Sequence, residues 1–277
     1  MKKIKIIFLL ALLLSAFSLL SCGGSRTPNE PKQELKKNSV SRPATTVGVF
    51  RPEQSLFYLR SSNTAGPPDI TVAFGATGDL PVVGDWDGDG NSTIGVYRPS
   101  QLTFLLRNSN TVGNVDITVP FGAKGDLPLV GDWDGDGKWT IGVYRPSQAT
   151  FFLRNSNTGG NGDITVAFGE KDDIPVVGDW DGDGKWTVGV YRPRQQVFYL
   201  RNSNTAGLPD VTLQFGSKGD LPLAGDWDGD GKWTVGVFRP SNGTFYLSNN
   251  NKTGKVDSIF AFGAPGDLPI VGSWLRR

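Results

Sequence analysis

The chain has 277 residues, with 28 lysines and arginines against 27 aspartates and glutamates, no histidine and a single cysteine. That balance offers no basic surface to nucleic acid, one cysteine excludes an intrachain disulfide, and the lack of histidine removes the commonest general base and the usual catalytic triads. With 37 glycines and 38% hydrophobic residues, the composition suits a core broken by many turns.

At the N-terminus, Lys2, Lys3 and Lys5 precede an apolar run over residues 6–14 and then Leu19-Leu20-Ser21-Cys22. A basic start followed by an apolar stretch too short to span a bilayer marks an export signal. The segment resembles a bacterial lipoprotein signal, which implies cleavage before Cys22, lipidation of that cysteine and stable anchoring on two or more acyl chains. Gly23 after the cysteine resembles lipoproteins sent to an outer membrane, so the expected location is the outer membrane or cell surface, reached through the lipid anchor. An ordinary secretory signal with an incidental cysteine is the other reading. The chain thus divides into a signal peptide at 1–21, a lipidated cysteine with a polar, disordered tether at 22–43, and a repeat domain at 44–277.

The repeat domain is one unit written five times. Trp86, Trp133, Trp180, Trp227 and Trp274 stand 47 residues apart, and so do Arg51, Arg98, Arg145, Arg192 and Arg239 of the phrase Gly-Val-(Tyr/Phe)-Arg-Pro. A unit of that length is too long for a short solenoid turn and fits a four-stranded propeller blade. The first strands in chain order, at 46–51, 54–60 and 69–74, read as strands B, C and D of a blade that lacks its strand A. In a complete unit, A is predicted at 127–133, B at 140–145, C at 150–154 and D at 163–168. Alternation supports them, with Ile164, Val166 and Phe168 on one face of D and Ile141 and Val143 on one face of B. The last strand, at 268–274, is the missing A. The fold class is therefore all-β: a closed five-bladed β-propeller with four antiparallel strands per blade, the last blade closed by N-terminal strands B to D and C-terminal strand A. Such closure removes the free sheet edges that invite aggregation.

Between strands A and B the phrase Asp-Trp-Asp-Gly-Asp-Gly occurs four times, placing Asp85, Asp87 and Asp89, then Asp132, Asp134 and Asp136, then Asp179, Asp181 and Asp183, then Asp226, Asp228 and Asp230 at alternate positions. Carboxylates at loop positions 1, 3 and 5 can converge on one hard cation, with a carbonyl from position 7, which is Asn91, Lys138, Lys185 or Lys232. Oxygen-only ligation suits calcium. The same aspartates can instead make Asx-turns to backbone amides without metal, although three acids so close repel one another unless neutralised. The run of Phe-Gly, Gly-Asp-Trp-Asp-Gly-Asp-Gly and Gly-Val-Tyr resembles the FG-GAP and VCBS propeller repeats over residues 46–274. That resemblance implies calcium held through positions 1, 3, 5 and 7 and often by an aspartate at 9. Here position 9 is Thr93, Thr140, Thr187 or Thr234, so a charge is missing and up to four weakly held ions are expected, with Kd on the order of 10⁻⁴ to 10⁻³ M.

Two further patterns complete the reading. Asp79, Asp126, Asp173, Asp220 and Asp267 open strand A while the Arg-Pro arginines end strand B, so these are expected to pair. Loop position 8 is Trp139, Trp186 or Trp233 in three units but Ser92 and Thr45 in the others. With Asn110, Asn157 and Asn204 of the C to D turns, these indoles would provide stacking and hydrogen bonds for sugar rings; packing and turn formation are their alternative use. Inside the repeat domain the acids outside the pattern are Glu53 on the closing blade and Glu170 and Asp172 between the second and third blades, positions across the ring from one another, so a glycosidase pair is not expected. The sequence therefore reads as a non-catalytic, calcium-binding, membrane-anchored surface lipoprotein, a multivalent binding or adhesion module with glycans as partners. The blade count also resembles tachylectin-type lectin propellers. A rigid platform for an envelope protein is the alternative, and a glycan-processing enzyme the third reading.

Overall fold

The computed structural model describes residues 44–252 and 254–274. Cys22, the signal peptide and the tether lie outside the described residues. Within them the chain forms twenty strands in five four-stranded sheets.

Three strands come first, β1 (Thr46–Arg51), β2 (Leu56–Leu59) and β3 (Ile70–Ala73), each antiparallel to the next. A complete blade follows in β4 (Leu80–Gly84), β5 (Thr93–Arg98), β6 (Thr103–Leu106) and β7 (Ile117–Pro120). The pattern repeats from β8 (Leu127–Gly131) to β11 (Ile164–Ala167), from β12 (Ile174–Gly178) to β15 (Val211–Gln214), and from β16 (Leu221–Gly225) to β19 (Ser258–Ala261). The final strand, β20 (Leu268–Gly272), pairs with β1 in antiparallel register from Thr46 opposite Gly272 to Phe50 opposite Leu268, so that the closing blade has the order β20-β1-β2-β3. The complementary ends predicted from the repeat phase do build one blade.

Burial peaks at strand B and falls from there to the outer edge, which explains the composition of each strand. Strand B has sheets against both of its faces, and residues 93–97 of Thr-Ile-Gly-Val-Tyr-Arg are all buried. Strand D is at the outer edge and alternates instead, with Val166 buried and Thr165 and Ala167 exposed. The innermost strands touch in a closed circuit, β4 with β8, β8 with β12, β12 with β16, β16 with β20 and β20 with β4. Between blades the core is continuous: Trp86 packs with Ile141 and Val143 of the following blade, and Trp274 with Ile94 and Val96. Each such indole lies over the glycine ending its own strand A, and a Cβ on Gly84 would come 2.5 Å from the Trp86 ring.

Some strand ends differ from the sequence expectation by one or two residues, for a local reason. The B to C hairpin turns through one left-handed residue, with φ of 50° at Ser55, 54° at Leu102 and 48° at Ala149, so β2 starts at Leu56 rather than 54. Strand A stops at Gly131 because Asp132 already folds into the loop beyond it.

Candidate functional site: the acidic loop face

Each loop is organised by its first aspartate. Asp132 Oδ1 accepts the Gly135 and Asp136 N–H groups at 2.8 and 3.0 Å, and Oδ2 accepts the Gly137 N–H at 2.9 Å; Asp179 repeats the same set. Asp85 takes the Gly88 and Gly90 N–H groups, and Asp226 takes that of Gly231 at 3.0 Å. These bonds produce the turn, as the Asx reading expects. They do not exhaust the carboxylate lone pairs, and the buried Asp226 Oδ1 falls short of a well-formed hydrogen bond, with only the Gly229 N–H near the carboxylate.

The second and third aspartates are brought to the first. In all four loops one carboxylate oxygen of each residue lies within 4.8 Å of the others: Asp85, Asp87 and Asp89; Asp132, Asp134 and Asp136; Asp179, Asp181 and Asp183; Asp226, Asp228 and Asp230. The first of each set is buried and the other two exposed. Burial pushes the Asp85, Asp132, Asp179 and Asp226 carboxyls above the usual carboxylate range; the glycine N–H bonds oppose the rise and the neighbouring loop aspartates add to it. Among the described residues no lysine or arginine is ion-paired with the nine aspartates of the last three loops. Four aspartate triads are thus placed to hold metal ions. The donor set fits a hard divalent cation, being all oxygen, anionic and open on its outer side.

The other residues of the predicted metal set have different surroundings. Lys138, Lys185 and Lys232 donate their backbone N–H to the third aspartate at 2.8 Å, and the Lys138 side-chain stem lies close to Gly88 of the preceding loop. Asn91 donates likewise to Asp89 at 2.7 Å. The hydroxyls of Thr93 and Thr234 donate to the carbonyl ending their own strand A, at 3.2 and 3.3 Å, whereas those of Thr140 and Thr187 donate to the Arg154 and Arg201 carbonyls at 2.7 Å.

Inside the ring of loops lies position 8. Its N–H bonds across to the preceding blade every time: Trp139 to the Asp85 carbonyl, Trp186 to Asp132, Trp233 to Asp179, Thr45 to Asp226 and Ser92 to Ser273, at 2.7 to 2.9 Å. This belt of five bonds carries the three indoles inward. Their ring centroids stand 4.2 Å apart for Trp139 and Trp186, 4.0 Å for Trp186 and Trp233, and 6.0 Å for Trp139 and Trp233. Trp186 and Trp233 are buried and Trp139 half-buried. Below them runs a narrow apolar channel of about 210 Å³, walled by all five A strands through residues such as Pro81, Val82 and Leu129. The tryptophans stop that channel at its loop end.

The chain is a five-bladed β-propeller with repeated aspartate-rich loops.

The asparagines and the indoles face different ways. Asn110 Nδ2 donates to the Ser92 carbonyl, Asn157 Nδ2 to that of Trp139 and Asn204 Nδ2 to that of Trp186, at 2.8 to 2.9 Å. The Asn110 and Asn204 Oδ1 atoms accept the N–H of Ile94 and Val188. These amides therefore clip the position 8 backbone in place, while the indoles turn to the axis. Sequence reasoning also overlooked Arg107, Arg154 and Arg201, whose guanidiniums fold the C to D turns around themselves. Arg154 Nη2 donates to the hydroxyls of Ser156 and Thr158 at 3.1 and 2.9 Å, and Arg107 Nη1 donates to the Asn114 carbonyl. The signal was present, since an arginine ends strand C in four of the five units.

No protein-family model and no curated protein sequence matches this chain. Among solved structures it is similar to an Agrocybe aegerita lectin described for specific recognition of non-reducing terminal N-acetylglucosamine, at 16% identity and TM-score 0.42 over 79% of this chain and 76% of that one. It is also similar to BBS1N in its complex with ARL6DN, at 9% identity and TM-score 0.37 over 76% of this chain; it spans 63% of that chain's length.

Proposed function

We propose that this protein is a non-catalytic, calcium-binding propeller of the FG-GAP and VCBS type, held by lipidated Cys22 at a bacterial outer membrane or cell surface, where it binds glycans. The observation that carries the calcium reading is the fourfold gathering of three carboxylates within 4.8 Å. A cation between them would relieve the repulsion that the glycine N–H groups only partly offset, and calcium tolerates such irregular oxygen sets. The non-catalytic reading is supported by Glu170, an acid outside the repeat, which is committed to ion pairs with Arg192 and Arg194.

Titration calorimetry of the full chain with calcium is expected to give four sites with Kd about 10⁻⁴ to 10⁻³ M, and Asp134→Ala to give three. Absence of both heat and any rise in Tm at millimolar calcium overturns the reading. A glycan array run in calcium and again in EGTA tests the second half. The alternative of a protein-binding platform is favoured by one feature, the exposed Leu208 beside a groove of about 510 Å³ that also contains Glu170, Arg192 and Tyr199. On that reading Leu208→Ser abolishes capture of an envelope partner and leaves the array silent in both conditions.

A further inference from the structure

We infer that one sugar ring binds on the propeller axis, in the recess that the three indoles share with Ser92 and Thr45. The inference rests on the glycan-binding reading above and changes its stoichiometry, from several equivalent sites around the rim to a single composite one.

The recess exists because the repeat is broken. Position 8 faces the axis in every blade, and three consecutive blades fill their share with indole. The two remaining blades, adjacent in the ring, place Ser92 and Thr45 there instead. What is left is a hollow of about 300 Å³ bounded by Trp139, Trp186, Trp233, Ser92, Thr45 and Ser273, with Asp85, Asp132 and Asp226 on its wall. That size is at the lower end for ligand pockets. At about 30 Å³ per water it holds on the order of ten waters, which is room for one ring and not for an extended oligosaccharide.

The polar groups decide which ring. The Ser92 Oγ accepts the Ser273 N–H at 3.0 Å, and the Thr45 Oγ1 accepts the Asp226 N–H at 3.1 Å. Acceptance leaves each hydroxyl its own proton, and neither donates to any group among the described residues although Ser92 is 3% and Thr45 4% exposed. Two buried donors therefore face a ligand that must bring acceptors. An organic cation would suit the indoles and the acidic wall, but it brings none. An apolar ring strands both donors. A pyranose meets all the requirements: its C–H face lies on the half-buried Trp139 indole, and its hydroxyls accept from Ser92 and Thr45 while donating to the oxygens that Asp85, Asp132 and Asp226 carry.

The belt of hydrogen bonds also ties this wall to the loops, since the Trp139 N–H is held by the Asp85 carbonyl at 2.9 Å. Ordering of the loops by a cation thus orders the aromatic wall, and sugar affinity is expected to rise with calcium.

The test titrates the full chain, in calcium, with methyl glycosides of the common hexoses and N-acetylhexosamines, followed by calorimetry and indole fluorescence. The expected result is saturable binding of at least one glycoside at one per propeller, with a change in indole emission. Ser92→Trp extends a fourth indole into the recess and is expected to weaken sugar binding at least tenfold while the calcium heats are retained. Should that variant fail to fold, Ser92→Ala adds no bulk, removes the hydroxyl both as donor to the ligand and as acceptor of the Ser273 N–H, and is expected to weaken sugar binding about tenfold, one hydrogen bond's worth, with the calcium heats retained. Three or more sites per propeller, or full affinity in Ser92→Trp or Ser92→Ala, overturns the axial site while leaving glycan binding intact. Failure of every glycoside to bind overturns both.

Discussion

The two faces of this propeller carry the same kind of charge in opposite conditions. On one, Asp79, Asp126, Asp173, Asp220 and Asp267 are buried, and each receives two N–H groups from the guanidinium of Arg98, Arg145, Arg192, Arg239 or Arg51 at 2.7 to 2.9 Å. The pairing is fivefold without exception, and in the closing blade it joins residues 216 apart. On the other face the loop aspartates of the last three acidic loops meet backbone amides and no basic side chain, and the repeat itself fails at position 8. A carboxylate that the repeat neutralises in every unit belongs to the scaffold. Carboxylates left for something else to neutralise, beside a position where the repeat is broken, mark the face that binds.

The comparison can be broken most severely at the closing blade. Deleting residues 268–277 removes β20 and Asp267 together, exposes the edge of β1 and leaves Arg51 without its partner; loss of cooperative unfolding by circular dichroism is expected, and a normal melt would contradict closure. Next, Asp126→Ala leaves the three-quarters-buried Arg145 uncompensated, at a cost of about 3 kcal/mol after allowing for its partial exposure. Asp134→Ala on the loop face is expected to change stability by less than about 0.5 kcal/mol in EGTA, because Asp134 is exposed and serves only its own loop. Equal costs in EGTA would erase the distinction between the faces.

The response to pH sharpens it further. The folded state raises the first loop aspartates above their unfolded pKa. Without calcium, the stability they contribute is therefore complete below the unfolded value and lost as pH rises through the folded one. Calcium selects the ionised form and reverses that loss. The gain in Tm on adding calcium is expected to be full near neutral pH and to shrink as pH falls through the raised pKa, sooner than for ordinary aspartates. A gain that stays constant down to about pH 4 would argue against carboxylate ligation.

A change of opposite sign is expected on the paired face. The Tyr97 and Tyr191 hydroxyls are buried without partners, and burial pushes Tyr191 up to about 12. Phe50 and Phe238 hold the same position in two other blades. Tyr97→Phe and Tyr191→Phe should each stabilise by about 1 kcal/mol, a rise of roughly 2 to 4 °C in Tm at this domain size.

Much of this was legible in the sequence because it is local or repeated. The arginine and aspartate partners open and close neighbouring strands of one hairpin, so their spacing of 19 residues already implied contact in four blades. Asp69, Asp116, Asp163, Asp210 and Asp257 recur just before strand D at the same 47-residue step, and each accepts the N–H eight residues before it. The asparagines were harder to read, since an amide that clips a loop and one that binds a sugar have the same composition and place in the repeat. Only the 2.8 to 2.9 Å bonds to position 8 carbonyls separate them.

By itself the sequence determined the period, the strands, the closing blade and the acidic triads, since alternation, turn residues and a 47-residue step act within one unit or between neighbours. The tertiary structure alone decided that Trp139, Trp186 and Trp233 meet at 4.0 to 6.0 Å and that Ser92 and Thr45 lie opposite them. Those residues come from five different blades. They share a site only because the ring closes and turns position 8 toward the axis, a geometry that no single repeat contains.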